Sequence, residues 1–134
     1  MAIVNLGTAV LPSGDVSVKD EIAGAVILAG QAVYRDSADQ RVKLASTSAA
    51  ANAAIGIALN SAPTVGQPVR VAWEGTLTGT ATIVVGDAYF VSDTAGSVGQ
   101  MSDIGTADFV TFVGIAATAT SIKVRPFVSG VQHA

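Results

Sequence analysis

Along residues 68–74 the side chains alternate in character: Val69, Val71 and Trp73 fall on one side of an extended backbone, Arg70 and Glu74 on the other. That is a β-strand with one wet face. Residues 121–128 repeat the device, with Ile122 and Val124 pointing inward and Lys123 and Arg125 outward. Pro126 has no N–H to give to a ladder, so this strand lies at a sheet edge or ends there. Turn formers stand between such runs: Pro12-Ser13-Gly14-Asp15, Asp36-Ser37-Ala38-Asp39, Ala62-Pro63-Thr64-Val65-Gly66 and Asp93-Thr94-Ala95-Gly96. Short strands parted by turns predict an all-β fold, a small sandwich or barrel. One stretch reads differently. Ser46-Thr47-Ser48 is placed to cap the alanine-rich Ala49-Ala50-Ala51-Asn52-Ala53-Ala54, so at most one short helix is expected near residues 47–54, with a small-residue loop as the other reading.

The chain also repeats itself. Gly30-Gln31-Ala32-Val33-Tyr34 answers to Gly86-Asp87-Ala88-Tyr89-Phe90, and Val42 to Val98, at an offset of 56. Ile55-Gly56-Ile57-Ala58 answers to Val113-Gly114-Ile115-Ala116 at 58. A basic alternating strand follows each block: Val69-Arg70-Val71 leads to Glu74-Gly75, and Ile122-Lys123-Val124 leads to Ser129-Gly130. Two similar β units are therefore expected, about residues 22–75 and 79–130. They would share a single β domain over residues 21–134, preceded by an N-terminal arm or first strand over residues 1–20. The matched Gly56 and Gly114 mark places that tolerate no side chain, at a bulge or a close approach of backbones. Tyr34, Tyr89 and Phe90 hold repeat-equivalent strand positions and are expected in the core.

A chain of 134 residues can bury roughly two-thirds of the surface its unfolded form exposes, so a full core in one domain is within reach. The longest apolar run, residues 22–30, contains two Gly and falls well short of the roughly 18–20 residues of a bilayer helix, so no membrane partner is expected. The opening Met-Ala-Ile-Val-Asn-Leu-Gly lacks the basic flank and leucine-rich stretch of a secretory signal, which points to synthesis in a cytoplasm. Without Cys there is no disulfide, no thiolate nucleophile and no cysteine-held metal. Ten carboxylates outnumber seven scattered Lys and Arg, a net charge of −3, so no direct nucleic-acid partner is expected. The shortage of charge carries the most weight. Half of the chain is apolar and only 13% is charged, against about 25% charged in an ordinary soluble domain. Either a Thr, Ser and Gly coat covers a monomer, or other copies and a larger assembly cover part of its surface; the second is the expectation.

No catalytic constellation emerges. The single His, His133, is next to last in a terminus prone to fray, a poor place for an oriented base. Asp36 with Asp39, and Asp103 with Asp108, are the tight carboxylate groupings, and neither has the spacing of a calcium loop. Turn chemistry accounts for both. Glu21 and Glu74 are the two Glu residues, and nothing in the pattern brings them together as an acid–base pair. No Gly-rich phosphate loop is present. The chain is therefore expected not to be an enzyme and to hold no cofactor or metal. Trp73 is either core filler or an interface anchor, since Trp is enriched where proteins meet. The interface candidates are Trp73, Phe127 and Pro126, together with Ile3, Val4 and Leu6.

The ordered series from Ala29-Gly30-Gln31-Ala32-Val33-Tyr34 through Val42-Lys43-Leu44-Ala45, Ile55-Gly56-Ile57-Ala58, Gly66-Gln67-Pro68-Val69-Arg70-Val71 and Glu74-Gly75 to Gly86-Asp87-Ala88-Tyr89 resembles the capsid cement, or decoration, proteins of tailed bacteriophages. The resemblance covers about residues 22–124. It implies an all-β structural protein of the virion that sits on the outer surface of the capsid, having been made in the host cytoplasm. Such a protein docks as a homo-oligomer, a homotrimer at a threefold or quasi-threefold site or a dimer at a twofold. It stabilises the head by tying neighbouring subunits of the major capsid protein together. The family has no catalytic residues to carry over. The alternative is another β-rich virion appendage: a head fibre base, a tail tube element or a receptor-binding module.

Overall fold

The computed structural model describes residues 11–47, 56–79, 83–92, 94–100, 104–105 and 108–132. Among them are nine strands and no helix: β1 (Leu11–Ile22), β2 (Ala32–Arg35), β3 (Val42–Leu44), β4 (Gly56–Ala58), β5 (Pro68–Thr78), β6 (Ala88–Val91), β7 (Val98–Gly99), β8 (Phe109–Ala116) and β9 (Ser121–Gln132). The strands form one strongly curled antiparallel sheet, a half-barrel, in the order β3-β2-β4-β5-β9-β8-β6-β7, with β1 on the remaining edge of β5. Most of the candidate helix, from residue 48 on, lies outside the described residues.

This order is one pattern used twice. The series β3-β2-β4-β5 is mirrored by β7-β6-β8-β9, and the two meet where β5 pairs β9. In the first unit Ala32 faces Ile57 and Val33 faces Gly56; in the second Ala88 faces Ile115 and Tyr89 faces Gly114. These are the residues matched at offsets of 56 and 58. The entry turns agree as well: Gly30 N–H donates to the Ala58 carbonyl at 2.8 Å and Gly86 N–H to that of Ala116 at 2.9 Å, with φ of 90° and 85°. Both need glycine because an L side chain is strained at such a φ. The closing strands need a correction. Ala58 faces Val71 and Ala116 faces Ile122, so Val71 answers to Ile122 and not to Val124. A slip of two residues keeps every side chain on its face, which is why alternation cannot detect it.

Among the described residues two buried clusters flank the sheet. The larger holds Ala32, Ile57 and Ala72 of the first unit against Tyr89, Val91, Val113, Ile122 and Val124 of the second. The smaller holds Val33, Val42, Val69 and Val71 with Ile27 and Ala62. Equivalent positions therefore meet opposite surroundings: Val33 is in the smaller cluster and its counterpart Tyr89 in the larger. The exchange of faces occurs within β5. Ala72 and Leu77 enter the same cluster although five residues apart, an odd spacing that a regular strand forbids. Between them Gly75 has φ 127°, a conformation suited to glycine at a bulge.

Three sequence expectations change here. The face of β5 expected to be wet buries Ala72 completely, because β4 and the second unit cover it. Pro12 to Asp15 form no turn but belong to β1. The register there passes from Ser13 opposite Thr76 to Ser17 opposite Glu74, so the turn-forming residues are absorbed into a bulge between two paired stretches of the same strand. Finally, Tyr89 is fully buried, but Tyr34 and Phe90 are only half-buried, on sheet faces that nothing described covers completely.

Candidate functional site

The paired strands β1 and β5, with the end of β2, build a groove of about 440 Å³ lined by Val18, Lys19, Glu21, Val71, Trp73 and Arg35. Register sets Lys19 opposite Val71, with Val18 opposite Ala72 and Glu21 opposite Val69 on either side. Glu21 is almost wholly buried, its side chain 6% exposed, and Arg35 clasps it from β2. Arg35 Nε donates to Glu21 Oε1 at 3.0 Å and Nη2 to Oε2, while Lys19 Nζ stands 3.8 Å from Oε2. These hydrogen bonds hold the guanidinium pKa above its ordinary value. The carboxylate is thus already engaged by two cations, which leaves the groove suited to recognition more than to proton transfer. Trp73, 46% exposed, supplies its largest apolar surface.

A second surface lies on the outside of the other unit. In β6, Tyr89 and Val91 point into the larger cluster, so Ala88 and Phe90 point outward. Phe90 meets Phe112 edge to face, with centroids 5.9 Å apart and planes at 75°. Phe112 stands opposite Phe127, and Ile115 stands opposite both Ala88 and Lys123. One outer face therefore carries Phe90, Phe112, Phe127, Ile115 and Lys123. Phe127 is 66% exposed and Ile115 48%. Arg125 is exposed on the same strand, and Pro126 is half-buried. The β5–β9 ladder ends at Gly75 opposite Val124, two residues before Pro126. Beyond it β9 runs on to Gln132 paired only with β8 among the described residues, so Pro126 does mark the start of an edge.

Trp73 thus lines the β1–β5 groove, whereas Phe127 belongs to the outer face of β8 and β9, on a strand whose pairing with β5 ends at the Gly75–Val124 rung. Ile3, Val4, Leu6, His133 and Asp103 fall outside the described residues. Asp36 and Asp39 are spent on their own hairpin. Asp36 accepts from Ala38 N–H at 2.9 Å and Asp39 from Arg41 N–H at 3.0 Å, while Lys43 Nζ reaches them at 2.6 and 3.4 Å. Among the described residues no group of three or more potential metal ligands converges. Sequence reasoning missed two features. Glu21 and Arg35 are 14 residues apart with no motif to connect them. Val131, 62% exposed, could have been found by carrying the alternation of β9 past Pro126. The chain matches no family model and no curated protein.

Proposed function

We propose that this protein is a structural component of a virion, a decoration protein that binds the outside of a tailed-phage head as a homo-oligomer and stabilises contacts between major capsid protein subunits. One observation carries the reading. Among the described residues eleven large apolar side chains, Trp73, Ile115, Phe127 and Val131 among them, are between 39% and 66% exposed on this small half-barrel. Isolated exposed apolar residues are ordinary, but aromatic ones grouped on a sheet face mark contact surfaces. The titratable pairs support the same reading, since Glu21 with Arg35 and Asp36 with Lys43 neutralise each other and leave no poised acid or base between them. A DNA-filled shell pushes outward. A symmetric oligomer resists by gripping several subunits at once, so that modest contacts multiply through effective concentration.

The test is to size the purified chain by light scattering, mix it with undecorated heads of the phage that encodes it, and sediment them. The expected result is a closed oligomer that pellets with the heads. Trp73→Ala should weaken assembly at least about tenfold while shifting the thermal midpoint little. A monomer that never pellets overturns the reading.

A further inference from the structure

We infer that the outer face of β6, β8 and β9 is the surface that meets the shell, and that it takes an acidic protein surface bearing an apolar side chain. This deepens the reading of the chain as a decoration protein and rests on it. Charge supports the assignment. The protein is net acidic, at −3, and four of its seven cations are engaged in ion pairs: Lys19 and Arg35 with Glu21, Lys43 with Asp36 and Asp39, and Arg70 with Asp20. Among the described residues Lys123 and Arg125 make no ion pair. Glu74 lines a groove with Lys123 but stays beyond ion-pair distance. Both cations project from β9 because Ile122 and Val124 occupy the core on its other side. A locally basic strip therefore crosses a molecule of opposite overall sign.

The aromatic ridge lies beside that strip. Phe127 opposes Phe112, which packs against Phe90, while Ile115 stands opposite Lys123. Apolar centre and cationic margin are the anatomy of a protein-binding patch: the rings lose water on docking, and the cations select and orient a carboxylate-bearing partner. A second copy of this chain fits the face poorly, because a twofold contact would bring Lys123 and Arg125 toward their own counterparts. Nucleic acid fits poorly too, since two cations neutralise too few phosphates to hold a duplex at physiological salt.

The structure also explains why this face is open. In the first unit the equivalent of Ile115 is Ile57, which is fully buried because the second unit covers it. The exchange of faces at Gly75 turns the second unit over, so its corresponding face looks outward.

The deciding experiment compares the full-length protein with Lys123→Glu/Arg125→Glu and with Phe127→Ser in sedimentation with undecorated heads, at low and at high NaCl. Light scattering and far-UV circular dichroism follow oligomer size and fold. Each substitution alters only exposed side chains; Lys123→Ala/Arg125→Ala serves as the milder variant should the double reversal disturb folding. Head binding is expected to fall at least about tenfold in every variant, with size and spectrum unchanged. Binding of the parent, but not of the charge variants, should weaken steeply with salt. Variants that pellet like the parent overturn the assignment of this face while leaving the decoration reading intact. A parent that never pellets overturns the reading itself, and the face with it. Loss of oligomer along with head binding makes this face a seam between copies, and comparable binding to a DNA duplex reassigns it to nucleic acid; either outcome overturns the inference.

Discussion

A Cβ built on Gly114 would stand 2.2 Å from the carbonyl oxygen of Lys123 on the neighbouring strand. Its counterpart Gly56 is pressed against the Ala72 carbonyl in the same way, at 2.4 Å. Ala72 and Lys123 are themselves equivalent, since Ile57 faces the first and Ile115 the second. Backbone cannot yield as a flexible side chain can. Gly56→Ala and Gly114→Ala are each expected to cost about 3 kcal/mol, the upper part of the range for overpacking. Gly86 has nothing within 4 Å of a built Cβ and only its φ of 85° to satisfy, so Gly86→Ala should cost roughly 1–2 kcal/mol. Urea unfolding of the three variants checks the ranking.

Gln40 is the one non-glycine residue with positive φ among those described, at 60°. The repeat places Gly96, φ 80°, at the same turn position. Relief of left-handed strain, about 1–2 kcal/mol, works against the extra unfolded-state freedom of glycine, about 0.5–1 kcal/mol. Gln40→Gly is therefore expected to leave stability unchanged or raise it by up to about 1 kcal/mol. Gly96→Gln should lose about 2 kcal/mol, because a Cβ there meets Leu44 Cδ2 at 3.0 Å and Gln31 Nε2 at 3.2 Å. Thermal unfolding in which Gln40→Gly is the more damaging change would contradict the equivalence of the two turns.

The Glu21–Arg35 pair should respond asymmetrically to truncation. Glu21 is 6% exposed and Arg35 30%, so removing the arginine leaves a buried carboxylate with Lys19 as its one ion-pair partner among the described residues, whereas removing the acid leaves a cation that reaches water. Arg35→Met is expected to cost about 2 kcal/mol, below the full penalty for orphaning a buried charge because the site is partly open. Glu21→Gln should cost about 1 kcal/mol. Equal losses in denaturant titrations would count against this account.

The β2–β3 hairpin should carry a pH signature. Hydrogen bonding to Lys43, then to Ala38 N–H, holds the Asp36 carboxyl below its usual 3.8. Hydrogen bonding to Asp36 holds the Lys43 ammonium above 10.5. A depressed acid stabilises the fold above its unfolded pKa, and that stabilisation is lost as pH falls through the folded value. A raised base stabilises below its unfolded pKa and loses this as pH rises through the folded one. Asp36→Asn should accordingly be less stable than the parent by a constant margin from pH 5 to pH 9. The margin should shrink below about pH 4 and again above about pH 10.5. A margin that stays constant into acid would remove the ion pair as its cause.

Much of the architecture was legible in the chain. Gly30 and Gly86, Ala32 and Ala88, Gly56 and Gly114 were matched by offset, and the ladders place them at equivalent points. Ile122 and Val124 were read as inward and are buried, while Lys123 and Arg125 were read as outward and are exposed. The burial of Ala72, on the face that Arg70 and Glu74 mark as wet, depends on β4 and on the second unit, neither of which leaves a mark in residues 68–74. Pro12 to Asp15 were misread because turn propensity is local, whereas pairing along β5 is not. The Glu21–Arg35 clasp was invisible for the same reason.

Period-two alternation and spaced glycines determined by themselves that this chain folds into paired strands, that it does so twice, and where no side chain fits. They are local properties, set by sterics and by the two faces of an extended backbone. Only the tertiary structure decided which face of each unit meets the other, burying Ile57 and baring Ile115, and where β9 loses the partner it has in β5. Burial is a property of what lies opposite, and a single bulge at Gly75 was enough to reverse it.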